Sequence, residues 1–249
     1  MFDFAAFLSY FDNGFMFGGV MVTLGLTLAS MAGGLVLGTG VALARGAGGV
    51  PSAVARGYVW VFRGTPLLVQ LVIIYTGLPQ LGIKFGVVAS ALLTLTLNEA
   101  AYLSEIIRAG FSGVDRGQGD AARALGLSRA RTIWLVQAPQ AFRIIIPPLG
   151  NSVNGLLKAT SITSIISMEE LMRRSQMIMQ VKFDVLEVYC VAAVWYLLLT
   201  TLWGFAQSAL ERRFGRGYVV LSEPRAKGGG APRPITASAA SLPATGPSV

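Results

Sequence analysis

The sequence predicts an all-α integral membrane protein with five transmembrane helices, its N-terminus outside and its C-terminus inside. Three observations support this prediction. The 249-residue chain is 53% hydrophobic and 13% charged, with a mean hydropathy of +0.62, which exceeds the usual value for a soluble domain of this length. Five apolar stretches approach the length needed to cross a bilayer. Basic residues are concentrated on alternate sides of these stretches.

The apolar stretches define the predicted spans, because a hydrocarbon core of about 30 Å requires about 20 helical residues with every backbone amide satisfied internally. They cover residues 18–44, 66–81, 86–110, 133–157 and 186–210, and residues 58–62 are expected to extend the second span inward. The fourth stretch contains Pro139, Pro147 and Pro148, which remove backbone donors. We therefore expect kinks or breaks in that span.

The distribution of Lys and Arg predicts the orientation. With the N-terminus outside, inner segments carry eleven of these residues and outer segments five, as the positive-inside rule requires. The predicted domains are an extracytoplasmic segment (1–17), a transmembrane domain (18–221) and a cytoplasmic tail (222–249). The N-terminal segment lacks a basic n-region, so we expect the first span to stay in the mature protein. The tail is rich in Gly, Ala, Pro and Ser, which predicts disorder.

Composition excludes several functional classes. The chain has one cysteine, Cys190, and no histidine, so neither an intramolecular disulfide nor a metal centre is expected. The net charge of +8 does not indicate nucleic-acid binding, because the basic residues flank the apolar spans. No Gly-x-x-x-x-Gly-Lys-Ser/Thr loop is present to hold nucleotide phosphates, so no cofactor is expected in this chain.

The connection between the third and fourth spans, about residues 112–131, contains local helix signals. Ser112 and Asp115 fit a weak capping box, Gly126 suits the left-handed residue that ends a helix, and Ser128 can cap the next helix. The predicted exposed face consists of Ala121, Ala122 and Ala124 with Leu125 and Leu127 as apolar anchors. Two interpretations stay open on these residues alone, namely an amphipathic interfacial helix and a docking surface for another protein.

The run GQGDAARALG at residues 117–126, followed by VQAP at 136–139, resembles the EAA loop of ABC importer permeases. In that family the loop forms a coupling helix that inserts into a groove on the ATP-hydrolysing subunit. The resemblance implies this role for Gly117, Asp120, Ala121, Ala122, Leu125 and Gly126. Asp120 stands where the family usually has glutamate, and Ala138 where it usually has leucine.

Further motifs look like the polar amino-acid branch of these permeases, over about residues 23–213. They are RGTPLLVQ at 63–70, AYLSEIIR at 101–108, IPPLGN at 146–151 and KATS at 158–161. Ala159 is a departure, since the branch often has an acidic residue there.

The resemblance implies a multi-pass permease of the bacterial inner membrane that carries a polar amino acid or a similar zwitterion. The implied partners are ABC ATPase subunits that bind ATP and Mg, a second identical or homologous permease, and an extracytoplasmic substrate-binding protein. A permease for another small solute is one alternative. A secondary transporter is another, although the internal repeat or filter-like loop expected of it is not found.

Polar groups within the spans are candidates for the substrate pathway. Asn98 and Glu99 lie near the middle of the third span, where an ionised carboxylate costs about 2.5–3.5 kcal/mol. Glu99 either faces a hydrated cavity and attracts a substrate ammonium, or pairs with a neighbouring span, or is protonated. The other candidates are Tyr102, Asn151, Thr160 and Ser161. Glu105 and Arg108 are three residues apart, which predicts an ion pair near the cytoplasmic end.

Overall fold

A computed structural model of the chain describes residues 2–214, and these residues form helices with no strand among them. The α-helices are α1 (Phe4–Phe11), α2 (Gly14–Gly46), α3 (Gly49–Gly64), α4 (Leu67–Val72), α5 (Val87–Ser112), α6 (Arg116–Ala124), α7 (Arg129–Arg131), α8 (Ala138–Ala159), α9 (Leu171–Lys182) and α10 (Val185–Phe214). Two π-helical turns (Ile73–Gly77, Thr132–Gln137) and two 3-10 segments (Leu78–Leu81, Thr160–Ile166) join them. The predicted tail, residues 222–249, lies outside the described residues.

Among the described helices, α2, α5 and α10 are each long and apolar enough to cross a membrane. They contain the first, third and fifth predicted spans. Helix α3 and the segment Leu67–Leu81 pass the same test together, as a pair bent by 108°. Helix α8 does not pass it, because Arg143, Lys158 and several uncharged polar residues lower its hydropathy. The all-helical fold class is confirmed, and three or four spans follow from length and composition.

The bend between α3 and α4 falls at Thr65 and Pro66. Pro66 has no backbone N–H and restricts Thr65 to extended backbone, which ends α3 at Gly64. Residues 58–62, which were expected to lengthen the second span inward, belong to α3 and therefore lie on the other side of a 108° bend. Hydropathy alone did not predict this change of direction.

Helix α8 continues through Pro147 and Pro148 without an interruption. The irregular backbone lies instead at its two ends, in the π-helical turn Thr132–Gln137 and in the 3-10 segment Thr160–Ile166. The first of these ends two residues before Pro139, whose missing N–H removes a regular helix bond. The predicted irregularity is confirmed near Pro139, and the expectation of a break at the Pro147–Pro148 pair was wrong.

Helices α2 and α5 approach each other through glycines. A Cβ atom added to Gly38 would lie 2.8 Å from the carbonyl oxygen of Ala100, which is closer than a real Cβ approaches a backbone atom. At Gly34 it would lie 3.2 Å from the Cβ of Glu99. Small residues at these positions let the two backbones pack closely, as in other membrane helix pairs.

The N-terminal helix α1 packs against one end of α10. Asp3 caps its first turn. The Tyr10 hydroxyl donates a hydrogen bond to Asp184 at 2.5 Å, and this bond raises the pKa of Tyr10 to about 12. The ring of Phe11 stacks on that of Trp195 with centroids 5.0 Å apart. The segment predicted to lie outside the membrane thus contains a helix attached to the last span.

Candidate functional site

Helix α6 (Arg116–Ala124) forms the middle of the predicted loop, and Asp115 is its N-cap. The Asp115 carboxylate accepts a hydrogen bond from the backbone N–H of Gly117 at 2.7 Å, and Asp115 has the non-helical backbone (φ −56°, ψ 132°) of an N-cap residue. Ser112 is the last residue of α5. The predicted capping box that began at Ser112 was wrong, because a residue with helical backbone does not occupy an N-cap position.

The end of α6 is a Schellman motif. The N–H of Leu127 donates to the carbonyl of Ala122 at 3.1 Å, and the N–H of Gly126 donates to the carbonyl of Arg123 at 2.9 Å. Gly126 has φ +77°, the left-handed conformation that glycine adopts without a steric penalty. Ser128 then caps α7 by accepting from the N–H of Arg131 at 3.4 Å. Both predictions, for Gly126 and for Ser128, are confirmed.

The outer face of α6 is small and carries one large apolar side chain. Leu125 is 83% exposed. Gly117, Ala121 and Ala124 are also exposed, and so is the ion pair between Asp120 and Arg123.

The inner face of α6 corrects one sequence prediction. Ala122 was expected on the exposed face and is only 4% exposed. It is three residues from the buried Gly119, so both lie on the same face of the helix. A Cβ on Gly119 would lie 3.1 Å from the side-chain nitrogen of Gln137. The helix period therefore turns Ala122 toward the π-helical turn that precedes α8.

Glu99 is enclosed by helices of this chain. It is 6% exposed, lies against Gly34 of α2, and accepts a hydrogen bond from the hydroxyl of Ser152 on α8. No basic side chain forms an ion pair with it within residues 2–214. Of the alternatives for Glu99, pairing with a neighbouring span describes this geometry, with a neutral serine as the partner.

Asn98 binds the backbone of the α3–α4 bend. Its side-chain nitrogen donates to the carbonyl of Phe62 at 3.2 Å and to the side-chain oxygen of Gln70 at 3.0 Å. Gln70 in turn donates to the carbonyls of Phe62 and Thr65 at 2.8 and 3.2 Å. These two amides satisfy carbonyls that Pro66 leaves without helical donors. Asn98 therefore holds the bend.

Tyr102 lies on a different surface from Glu99. Its side chain is 40% exposed, and the Arg63 guanidinium lies 5.2 Å from the centre of its ring. Glu99, by contrast, is buried against α2 and α8. Tyr102 belongs with the basic residues at the end of α5.

The candidates from the fourth span are also separated. Asn151 is exposed on α8, whereas Thr160 is fully buried and bonds the carbonyl of Leu157 at 2.8 Å. The Ser161 hydroxyl donates to the carbonyl of Lys158 at 2.7 Å. The six pathway candidates thus do not form one pocket.

Sequence reasoning missed Gln70 and Ser152, the partners of Asn98 and Glu99. For Gln70 the available signal was a lone polar residue within an apolar stretch, whereas Ser152 lies between the polar residues Asn151 and Asn154. Glu105 is joined to Arg108 at 2.9 Å, which confirms that ion pair, and it also contacts Arg45, which was not predicted.

Comparison with known proteins gives consistent matches. Residues 34–216 match the family model described as "Binding-protein-dependent transport system inner membrane component". The chain is 36% identical to the probable amino-acid ABC transporter permease protein YckA of Bacillus subtilis, over 80% of this chain and 82% of that one. It is 40% identical to the L-cystine transport system permease protein TcyB of the same organism, over 80% and 86% respectively.

A solved structure matches as well. It is the crystal structure of an amino acid ABC transporter with histidines, with a TM-score of 0.81 and 36% identity, covering 86% of this chain and 99% of that one.

Proposed function

We propose, on the basis that the chain belongs to the family of binding-protein-dependent transport system inner membrane components, that its cargo is a polar amino acid or a similar small zwitterion. The chain is a permease subunit of an ABC importer, a multi-pass protein of the bacterial inner membrane. ATP hydrolysis is performed by a separate subunit, and the family also works with substrate-binding proteins. The relatives named as amino-acid and L-cystine permeases support the cargo proposal.

The proposed topology has five spans with the N-terminus outside. The spans are α2, the bent pair α3 and Leu67–Leu81, α5, α8 and α10. Helix α8 is 22 residues long, which is enough to cross a hydrocarbon core of about 30 Å, and its polar side chains are accommodated if they face protein or water rather than lipid. In this orientation α6 lies on the cytoplasmic side. The eleven basic residues of the inner segments favour this orientation by the positive-inside rule.

The observation that carries the coupling proposal is the exposure of Leu125 at the end of α6. An 83% exposed leucine, surrounded by exposed Ala121 and Ala124, gives a small apolar projection that fits a groove on a partner ATPase. The Schellman motif at Gly126 fixes the direction of this projection. ATP and Mg would be held by that ATPase and not by this chain.

The proposed pathway lies along α8 and a second permease subunit, identical or homologous. Exposed polar and charged positions recur on α8 at Arg143, Asn151 and Lys158. They lie within about one helix face, because the separations of eight and seven residues are close to two turns. Asn98, Glu99 and Thr160 are proposed to support this face by holding the neighbouring helices.

Reconstitution tests the transport function. Proteoliposomes that contain the chain, its partner subunits and trapped ATP should accumulate a polar amino acid when ATP and the binding protein are both present. Omission of either should abolish uptake. Uptake driven by an ion gradient without any ATPase would favour a secondary transporter and contradict the proposal.

A second experiment tests the coupling surface. Leu125→Asp should abolish copurification with the ATPase and leave the thermal stability of the permease unchanged, because the leucine is already exposed. Val181→Asp is the matched control, since this valine is 73% exposed on α9, outside the loop. Copurification that is equal in the two variants would contradict docking through α6.

A further inference from the structure

Three arginines from three helices converge on one carboxylate. Arg45 of α2 contacts Glu105 of α5, Arg108 of α5 lies 2.9 Å from the same carboxylate, and Arg63 of α3 lies 3.7 Å from it. Within residues 2–214 no second carboxylate lies within 4.0 Å of these guanidinium groups. Three guanidinium groups therefore share one carboxylate, and the cluster carries a net charge of +2.

The three arginines differ in exposure. Arg45 is 17% exposed, as expected for the partner that is held most firmly by Glu105, whereas Arg63 and Arg108 are 43% and 50% exposed. The Arg63 guanidinium also lies 5.2 Å from the ring of Tyr102, which limits its orientations. Arg45 and Glu105 form the less exposed part of the cluster. The guanidinium groups of Arg63 and Arg108 keep hydrogen-bond donors available at the surface.

The adjacent face of α3 has the composition of a membrane interface. Arg56, Trp60 and Arg63 are separated by four and three residues, so they lie on one side of the helix. Trp60 is 78% exposed. Tryptophan beside arginine is typical of the headgroup level of a bilayer, where the indole lies between polar and apolar regions.

We propose that Arg63 and Arg108 bind the phosphate of an anionic phospholipid in the cytoplasmic leaflet, with Trp60 beside the part of its acyl chains nearest the headgroup. This inference rests on the proposed orientation, which places this end of α5 at the cytoplasmic surface. Guanidinium groups bind phosphate oxygens through paired hydrogen bonds. The uncompensated charge favours an anionic headgroup over zwitterionic phosphatidylcholine, and basic pockets between helices are common sites for such lipids.

Lipid binding can be measured on the full-length chain without any transport. The protein is equilibrated in mixed phosphatidylglycerol and phosphatidylcholine nanodiscs, and the retained lipids are counted by native mass spectrometry after release. The wild type should retain phosphatidylglycerol preferentially. Arg63→Gln with Arg108→Gln should lower its relative association constant about 25-fold, at about five-fold per basic residue near a membrane surface.

Two further variants separate a built site from general surface charge. Arg212→Gln with Arg213→Gln removes two basic residues from the end of α10 and should leave the preference unchanged. Arg63→Lys with Arg108→Lys keeps the charge and removes the paired donors, so it should weaken the preference. An equal loss in the α10 control, or full preference in the lysine variant, would overturn the site.

The source of the phosphate and the dependence on topology are also testable. Excess inorganic phosphate should not displace the retained lipid, and displacement would assign the site to a free anion instead. Unchanged lipid preference in the glutamine variant overturns the lipid site and leaves the importer proposal intact. Loss of ATP-driven uptake by the wild type would contradict the importer proposal without altering the lipid measurement.

Discussion

Substitution of Gln70 by leucine isolates the energy that holds the α3–α4 bend. The Gln70 side chain donates to the carbonyl of Phe62 at 2.8 Å, to the hydroxyl of Thr65 at 2.9 Å and to its carbonyl at 3.2 Å, and it accepts from Asn98 at 3.0 Å. Gln70 is 6% exposed, so water does not readily replace these bonds. Leucine has a similar size and provides none of them.

The magnitude follows from the groups left unpaired. The carbonyl of Phe62 keeps the hydrogen bond from Asn98. The carbonyl of Thr65 loses the Gln70 side chain, its hydrogen-bond donor among the described residues. An intramolecular hydrogen bond contributes about 1 kcal/mol net, and a buried polar group without a partner costs about 1–3 kcal/mol. We expect Gln70→Leu to lower the free energy of unfolding by about 3 kcal/mol. At about 2–4 °C per kcal/mol, the thermal midpoint should fall by about 6–12 °C.

Thermal unfolding of the purified chain in detergent, followed by tryptophan fluorescence, measures this shift. Gln80→Leu is the matched control, because Gln80 is exposed near the end of the same segment and has no described side-chain bond. Asn98→Leu completes a double-mutant cycle. Because Gln70 and Asn98 share one network, the double variant should lose less than the two single changes added together.

Two results would refute this account of the bend. One is a midpoint for Gln70→Leu that matches that of Gln80→Leu. The other is strict additivity of Gln70→Leu and Asn98→Leu, which would mean that the two amides act separately and that the bend is maintained by Pro66 alone.

Three other predictions concern single positions. Gly126→Val should destabilise the end of α6 and reduce ATPase copurification, because a β-branched residue is strained at φ +77°. Gly126→Asn should retain the stability and the copurification, because asparagine tolerates the left-handed conformation. Equal loss in the two variants would contradict the requirement for a left-handed residue. Gly38→Ala should lower the free energy of unfolding by about 1–3 kcal/mol, because its Cβ would lie 2.8 Å from the carbonyl oxygen of Ala100. A Cβ at Gly40 has no atom within 4 Å, so Gly40→Ala should be neutral or stabilising in thermal unfolding. Burial raises the pKa of Glu170 above 4.5, so the stability that this carboxyl contributes is present at low pH and declines as pH rises through the folded pKa. The thermal midpoint of Glu170→Gln relative to that of the wild type should therefore increase with pH. Parallel curves of midpoint against pH for the two proteins would exclude this linkage.

Features that depend on local sequence were predicted well. The long spans follow from apolar length, because hydrocarbon permits only backbones that satisfy themselves. Gly126 followed from the chemistry of helix ends, which requires a left-handed residue at that position and nothing else from the fold. The ion pair of Glu105 with Arg108 followed from helix spacing alone.

Features that depend on distant residues were not predicted. The bend at Pro66 is stabilised by Asn98, and Glu99 is bonded by Ser152, which is 53 residues away in sequence. Hydropathy averages over a window and cannot show which polar side chain meets which carbonyl. Asn98 and Glu99 of the third span were thus identified as unusual, while their partners depended on how α3 and α8 pack against α5.

The burial of Ala122 changes how the two alanines of the loop should be understood. Ala121 is exposed like Leu125, whereas Ala122 and Gly119 are buried, and Gly119 lies close to Gln137 in the π-helical turn that precedes α8. Small side chains on the inner face let α6 lie close to that turn, and the side-chain nitrogen of Gln140 also approaches the oxygen of Gln118 at 3.4 Å. We expect a partner that moves the outer face to displace the base of α8 as well, because Gly119 on the inner face lies close to Gln137. A larger residue at Ala122 should separate α6 from α8, and it should reduce ATP-driven uptake while ATPase copurification through Leu125 persists.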